Sequence, residues 1–110
     1  MALGDVLRQA LAPITGKIRL AFIYGSLARG EETARSDVDL LLVGSTTLRE
    51  VTKYLGPVGR ALGREFNPAV FPPREFRKKV AEEDHFIREV LEGPKIWLIG
   101  NDRELAGLVA

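Results

Sequence analysis

Asp37 and Asp39 stand one residue apart, and their types and spacing suggest chemistry. On an extended chain alternate side chains share a face, so both carboxylates would point one way and Val38 the other. Two like charges on one face repel, and a divalent cation between them is the simple remedy. A site with few hard oxygen ligands and room for phosphate oxygens suits Mg²⁺. The plainer reading makes Asp37 a strand cap and leaves Asp39 in water. Against it stands the apolar run Leu40-Leu41-Leu42-Val43 that follows directly, because an aspartate leading into a buried strand needs a reason.

A second grouping lies just upstream, at Ile23-Tyr24-Gly25-Ser26. Apolar residues feed a glycine that can adopt backbone shapes closed to other residues and can let a ligand approach the main chain. The N–H groups of the following turn would form an anion site, and the Ser26 hydroxyl would contact a phosphate or act as a cap. Taken alone, a Gly-Ser pair after a strand is an ordinary turn. Arg29 either reaches a phosphate oxygen or faces solvent.

These groups need elements to position them. Leu3, Val6, Leu7, Ala10 and Leu11 repeat at helical spacing ahead of Pro13. Residues 17–24 read as a strand and 27–31 as one or two helical turns. A polar loop, 33–36, leads to a strand that starts at or just after Asp37. Thr47 and Glu50 have capping-box spacing for a helix carrying Leu48, Val51, Leu55, Val58 and Leu62, which Gly56-Pro57 would kink or end early. Residues 64–71 read as a strand with Glu65, Asn67, Ala69 and Phe71 on one face, and Pro68 makes it an edge strand or marks a bulge. Helices are expected over 74–81 and 85–91, a last strand over 95–99 and a last helix over 101–109. This alternation predicts an α/β (α+β) class, a small sheet flanked by helices in a single domain over residues 1–110.

Read together from Gly25, the text GSLARGEETARSDVD is a Gly-Ser, ten intervening residues and Asp-x-Asp. It resembles the signature of the DNA-polymerase-beta-like nucleotidyltransferases, in particular their minimal members, which also carry residues like Ala28, Arg29, Gly30 and Ser36. The resemblance covers most of the chain and implies that the small sheet is mixed. Residues 63–100 resemble a subgroup in which the domain often follows a winged-helix DNA-binding module, and no such module is read here. The resemblance implies that Gly25 and Ser26, with Arg29 and Ser36, bind the nucleotide. It implies that Asp37 and Asp39 bind Mg²⁺ bridging the triphosphate of ATP or another NTP. It also implies a third carboxylate, on the strand over 64–71, that completes the metal and catalytic set. No Asp occurs there; Glu65 is the candidate, with a surface partner of Arg64 as its plainer reading, and Asn67 on the same face cannot act as a base.

The expected activity is transfer of a nucleoside monophosphate, AMP by the same resemblance, to a hydroxyl. So small a domain has little surface for a large acceptor. Minimal relatives work with a helical partner protein, some as antitoxins that modify a toxin tyrosine, so the acceptor would be a protein hydroxyl, with a small molecule or an RNA end as alternatives. Self-association is the other expectation. The missing third Asp keeps open a catalytically inactive module that binds nucleotide or a partner.

The remaining composition mainly excludes. Sixteen basic and 15 acidic residues give a net charge of +1, without the excess of a polyanion binder. The basic run Arg74, Arg77, Lys78 and Lys79 reads as a solvated helix face, with a nucleic-acid or acidic protein partner as the alternative. No stretch is long and apolar enough for a membrane span, and the N-terminus lacks a signal-peptide pattern. The absence of cysteine removes disulfides and thiolate chemistry and fits a cytoplasmic location. His85, the only histidine, reads as part of a helix start, and Trp97 as core or interface.

Overall fold

The computed structural model describes residues 2–31 and 37–110 of the chain. Helix α1 (Leu3–Leu11) is followed by a 3₁₀ segment (Ala12–Lys17) and then by strand β1 (Ile18–Tyr24). Strand β2 (Val38–Gly44), helix α2 (Leu48–Leu62) and strand β3 (Phe66–Phe71) come next. The chain ends with helices α3 (Pro73–Ala81) and α4 (His85–Glu92), strand β4 (Ile96–Ile99) and helix α5 (Asp102–Val109).

The strands form one mixed sheet in the order β3-β2-β1-β4. β1 lies antiparallel to both β2 and β4, while β2 and β3 run parallel, with α2 as the crossover that a parallel pair requires. β1 and β2, the central strands, are apolar on both faces, as the unbroken run Leu40 to Val43 foretells. β3 lies at an edge, where Pro68 can be accommodated. At the opposite edge the Arg8 guanidinium donates to the carbonyls of Trp97 (2.8 Å) and Leu98 (3.1 Å), covering part of β4.

Side-chain alternation splits the core into two layers. Ala21 and Ile23 of β1 and Val38, Leu40 and Leu42 of β2 pack with α1 and α2. Leu20, Phe22, Leu41 and Val43 face the other way, onto Phe76 of α3, Ile87 and Val90 of α4, and Leu105 and Leu108 of α5. Phe22 and Phe76 are wholly buried, and each contributes about 1.5–3 kcal/mol of burial free energy. Gly44 closes β2 where β1 begins: a Cβ there would sit 2.1 Å from the Lys17 carbonyl oxygen, so no larger residue fits.

The sequence reading needs four adjustments. Residues 27–30 form hydrogen-bonded turns rather than a regular helix; Arg29 N–H bonds to the Gly25 carbonyl and Gly30 N–H to the Leu27 carbonyl. The 3₁₀ segment that contains Pro13 adds an element that the apolar periodicity does not mark. α2 continues through Pro57, because Gly56 offers no Cβ to clash with the proline ring and Val51, Leu55 and Gly59 hold both halves against the core. It stops instead at Gly63, in a left-handed conformation with φ 64°. β3 begins at Phe66, so Glu65 precedes the strand. Among the described residues no helix is long and apolar enough to cross a membrane.

Candidate active site

The two halves of the motif meet at the end of the central strand pair. Tyr24, the last residue of β1, pairs with Asp39, the second residue of β2. The chain leaves β1 through Gly25, whose φ of 78° is a conformation that side-chain-bearing residues rarely adopt. A Cβ at Gly25 would lie 2.8 Å from Asp39 Oδ2. The absence of that atom lets the turn and the carboxylate come together.

Asp39 projects from the sheet face that carries Leu41 and Val43, the layer covered by α3, α4 and α5. It is half-buried. Asp37 stands immediately before β2, is exposed, and is not among the residues that line the cleft at Asp39. Ser26 is half-buried in the turn, and its carbonyl accepts the Glu31 N–H at 3.0 Å. Arg29 is exposed and pairs through Nε with Glu31 at 3.0 Å. Ser36 lies outside the described residues.

The strand supplying the third position aligns Asn67 with Asp39 and Phe66 with Val38. Asn67 Nδ2 donates to Asp39 Oδ1 at 3.2 Å. Glu65 is exposed and comes level with Asp37, its carbonyl accepting the Val38 N–H at 2.9 Å. The side chain directly beside Asp39 is therefore an amide. Among the described residues no three of His, Cys, Asp and Glu converge as a metal-binding group. Mg²⁺ is compatible with what is present, since it takes one or two protein carboxylates together with substrate phosphates and water. The close approach of the Gly25 turn to Asp39 leaves space where a Cβ would otherwise intrude.

A cleft of about 380 Å³ opens at this point. Tyr24, Gly25, Ser26, Arg29 and Asp39 line one side, and Phe86, Glu89 and Val90 of α4, with Gly93 and Pro94, line the other. Burial, and secondarily the charge of Asp39, raise the Tyr24 phenol above its ordinary pKa. The Tyr24 ring meets Phe86 edge-to-face, with centroids 5.9 Å apart. Sequence reasoning found the β1–β2 side of the cleft and missed the α4 side, for which Phe86, a large apolar residue on a solvent-facing position, was the available signal.

Glu65 lines a different groove, about 450 Å³ between α2 and β3. His85 is the exposed first residue of α4, which Asp84 caps by accepting the Ile87 N–H. Trp97 packs on Phe22 in the core. Arg74, Arg77 and Lys78 are exposed on α3 while Phe76 is buried, so the basic run forms a solvated face without exposed aromatics.

A family model described as "Polymerase beta, Nucleotidyltransferase" matches residues 9–67, the stretch that holds both motif halves and β2. "Putative protein adenylyltransferase MJ0604" of Methanocaldococcus jannaschii is 32% identical over 81 residues, covering 74% of this chain and 79% of that protein. A chain from a crystal structure of a mutant MntA toxin–antitoxin complex is similar at TM-score 0.67 and 12% identity, covering 98% of this chain and 82% of that one. One from a toxin–antitoxin crystal structure with AMP-PNP is similar at 0.61 and 15%, covering 98% and 82%. One from the complex of tri-AMPylated Shewanella oneidensis HEPN toxin with MNT antitoxin is similar at 0.51 and 12%, covering 97% and 81%. At these identities the solved structures establish a shared fold.

Proposed function

The chain belongs to the polymerase beta nucleotidyltransferase family, and from that premise we propose that it transfers AMP from ATP to a hydroxyl on a partner protein. The observation that supports this reading is the close approach of the Gly25 turn to Asp39, where a Cβ would meet the carboxylate at 2.8 Å. Support for AMP comes from the adenylyltransferase name of the M. jannaschii relative and from the AMP-PNP and AMPylated-toxin complexes that share the fold. The toxin–antitoxin complexes likewise favour a partner protein as acceptor.

In this reading Gly25 and Ser26 hold the triphosphate, with Arg29 on an outer oxygen once it leaves Glu31, and Ser36 completes the motif. Asp37 and Asp39 hold Mg²⁺, which supplies charge neutralisation at the phosphates. The acceptor oxygen bonds to the α-phosphorus, the bond to the bridging oxygen of pyrophosphate breaks, and pyrophosphate leaves with the electron pair. Glu65, level with Asp37 but lining the groove on the α2 side, would have to turn its carboxylate toward Asp37 to take the hydroxyl proton as the third acidic group of the set. Alignment of the three participants and stabilisation of charge do most of the catalytic work.

A second reading, nucleotide binding without transfer, is favoured by Asn67, an amide where a carboxylate would complete the site beside Asp39. Incubation of the protein with Mg²⁺, α-³²P-ATP and its host lysate separates the two. Transfer places label on a protein hydroxyl and none from γ-³²P-ATP, and Glu65→Gln abolishes labelling while sparing ATP binding. Tight ATP binding with no labelled product under any acceptor would leave only the second reading.

A further inference from the structure

The nucleotide reading of the cleft leaves its α4 wall unexplained. We propose that Phe86 is the platform on which the nucleobase lies, and that the site therefore takes purine nucleoside triphosphates by stacking rather than by reading base edges. This inference rests on the triphosphate lying at Gly25 and Ser26.

Three observations lead to it. First, Phe86 is 40% exposed, and it lines the cleft while its neighbours Ile87 and Val90 fill the core. Its edge-to-face contact with Tyr24 engages one face of one ring, so the pair keeps uncommitted π-surface. Second, the two walls differ in chemistry. The turn side carries the Gly25-Ser26 backbone, Arg29 and the carboxylate assigned to the metal, Asp39, so the phosphates occupy it and the uncharged nucleoside is left to the wall bearing Glu89 and Phe86. Third, the cleft's volume of about 380 Å³ falls in the range of sites that enclose a small ligand. Every base has a π-face, and stacking strength grows with ring size, so purines gain most.

The test compares Mg²⁺-dependent binding of ATP, CTP and inorganic tripolyphosphate by calorimetry, in the wild-type chain and in Phe86→Ala, Phe86→Leu and Phe86→Trp. The wild type is expected to bind ATP more tightly than CTP, and both more tightly than tripolyphosphate. Phe86→Ala and Phe86→Leu are expected to weaken ATP binding roughly ten- to a hundredfold, in line with the worth of one base–aromatic stack, and to close the gap between ATP and CTP. Tripolyphosphate binding should be unchanged, and Phe86→Trp should retain ATP. Leu keeps the apolar bulk, so a folding defect confined to Ala does not hide the answer. Equal losses for ATP, CTP and tripolyphosphate would assign Phe86 a structural role and overturn the proposal. So would unchanged ATP binding in both Ala and Leu variants. A wild-type chain that binds none of the three overturns the phosphate site itself, a failure distinct from loss of the stacking platform alone.

Discussion

Gly25 is the residue on which the site geometry turns. Replacing it with Ala forces a side chain into a left-handed conformation and drives a Cβ to 2.8 Å from Asp39 Oδ2. The backbone term alone costs about 1–2 kcal/mol. We expect Gly25→Ala to lose that stability in urea denaturation and to displace Asp39, so that ATP affinity falls with it. Asn67 supports the complementary experiment. Asn67→Asp sets a second carboxylate against Asp39 Oδ1, where the amide now donates at 3.2 Å. Without metal, the repulsion is expected to lower Tm by roughly 4–8 °C, the change that about 1 kcal/mol produces in a domain of this size. With Mg²⁺ the loss should reverse beyond the wild-type response, as thermal scans with and without the ion would show. A variant indifferent to Mg²⁺ would separate Asn67 from the metal site. At this scale the sequence was legible where chemistry was local. Asp37-Val38-Asp39 follows the strand period, and Gly25-Ser26 follows a strand. Phe86 and Glu89 were not legible as cleft residues, because only the packing of α4 on the distant β1 brings them there. The alignment of Asn67 with Asp39 also had to come from the parallel register, since residue parity places Glu65 and Asn67 on the same face without saying which is level with which.

Among the elements, α2 ties the sheet together as the crossover between β2 and β3. Its start was readable from sequence: Thr47 Oγ1 accepts the Glu50 N–H at 3.1 Å. Thr47→Ala should cost about 1 kcal/mol, measured as a lower urea midpoint with an unchanged slope. Glu50 itself turns aside from the reciprocal capping bond. It accepts from the Thr46 hydroxyl at 2.7 Å and from Lys17 Nζ at 3.0 Å, joining the helix start to the head of β1. The Thr46 hydrogen bond first, then Lys17, lower its pKa below the ordinary value of 4.5. A carboxyl depressed on folding contributes stability at pH above its unfolded pKa and loses it as pH falls through the folded value. Glu50→Gln should therefore flatten the acid limb of a stability–pH profile, losing most stability above the ordinary pKa of 4.5 and less as pH falls below it; an unaltered limb would remove Glu50 from the acid response. The persistence of α2 through Pro57 was beyond sequence reasoning, because the core contacts of Val51 and Leu55 before it and of Gly59 after it outweigh one missing hydrogen bond. The turns at 27–30 were over-read for the converse reason: apolar Leu27 fits a helical pattern, yet it serves as a single anchor under the sheet end.

For the molecule as a whole, two apolar layers on one mixed sheet account for both the fold and the position of the cleft. The layer under α3, α4 and α5 depends on Phe76, wholly buried between that helix and Phe71 of β3. Phe76→Ala is expected to cost about 3–5 kcal/mol, a large share of the stability of a domain this size, with a matching drop in Tm. The edge strand at Pro68 and the alternation of helices and strands were legible, since each rests on periodicity or on a proline's missing donor, while the mixed sheet was expected only from the family resemblance. Sidedness was not, because which helices cover which face depends on chain crossings that no local pattern encodes.

The central claim is that Asp39, held against the Gly25 turn, helps bind a metal-bridged triphosphate. Calorimetric titration of Mg²⁺-ATP into the wild-type chain and into Asp37→Asn and Asp39→Asn tests it most directly. The account expects binding by the wild type that disappears when Mg²⁺ is chelated and weakens at least tenfold in both variants, the loss of about 1.4 kcal/mol or more. Affinity that survives both substitutions and the removal of Mg²⁺ would contradict it.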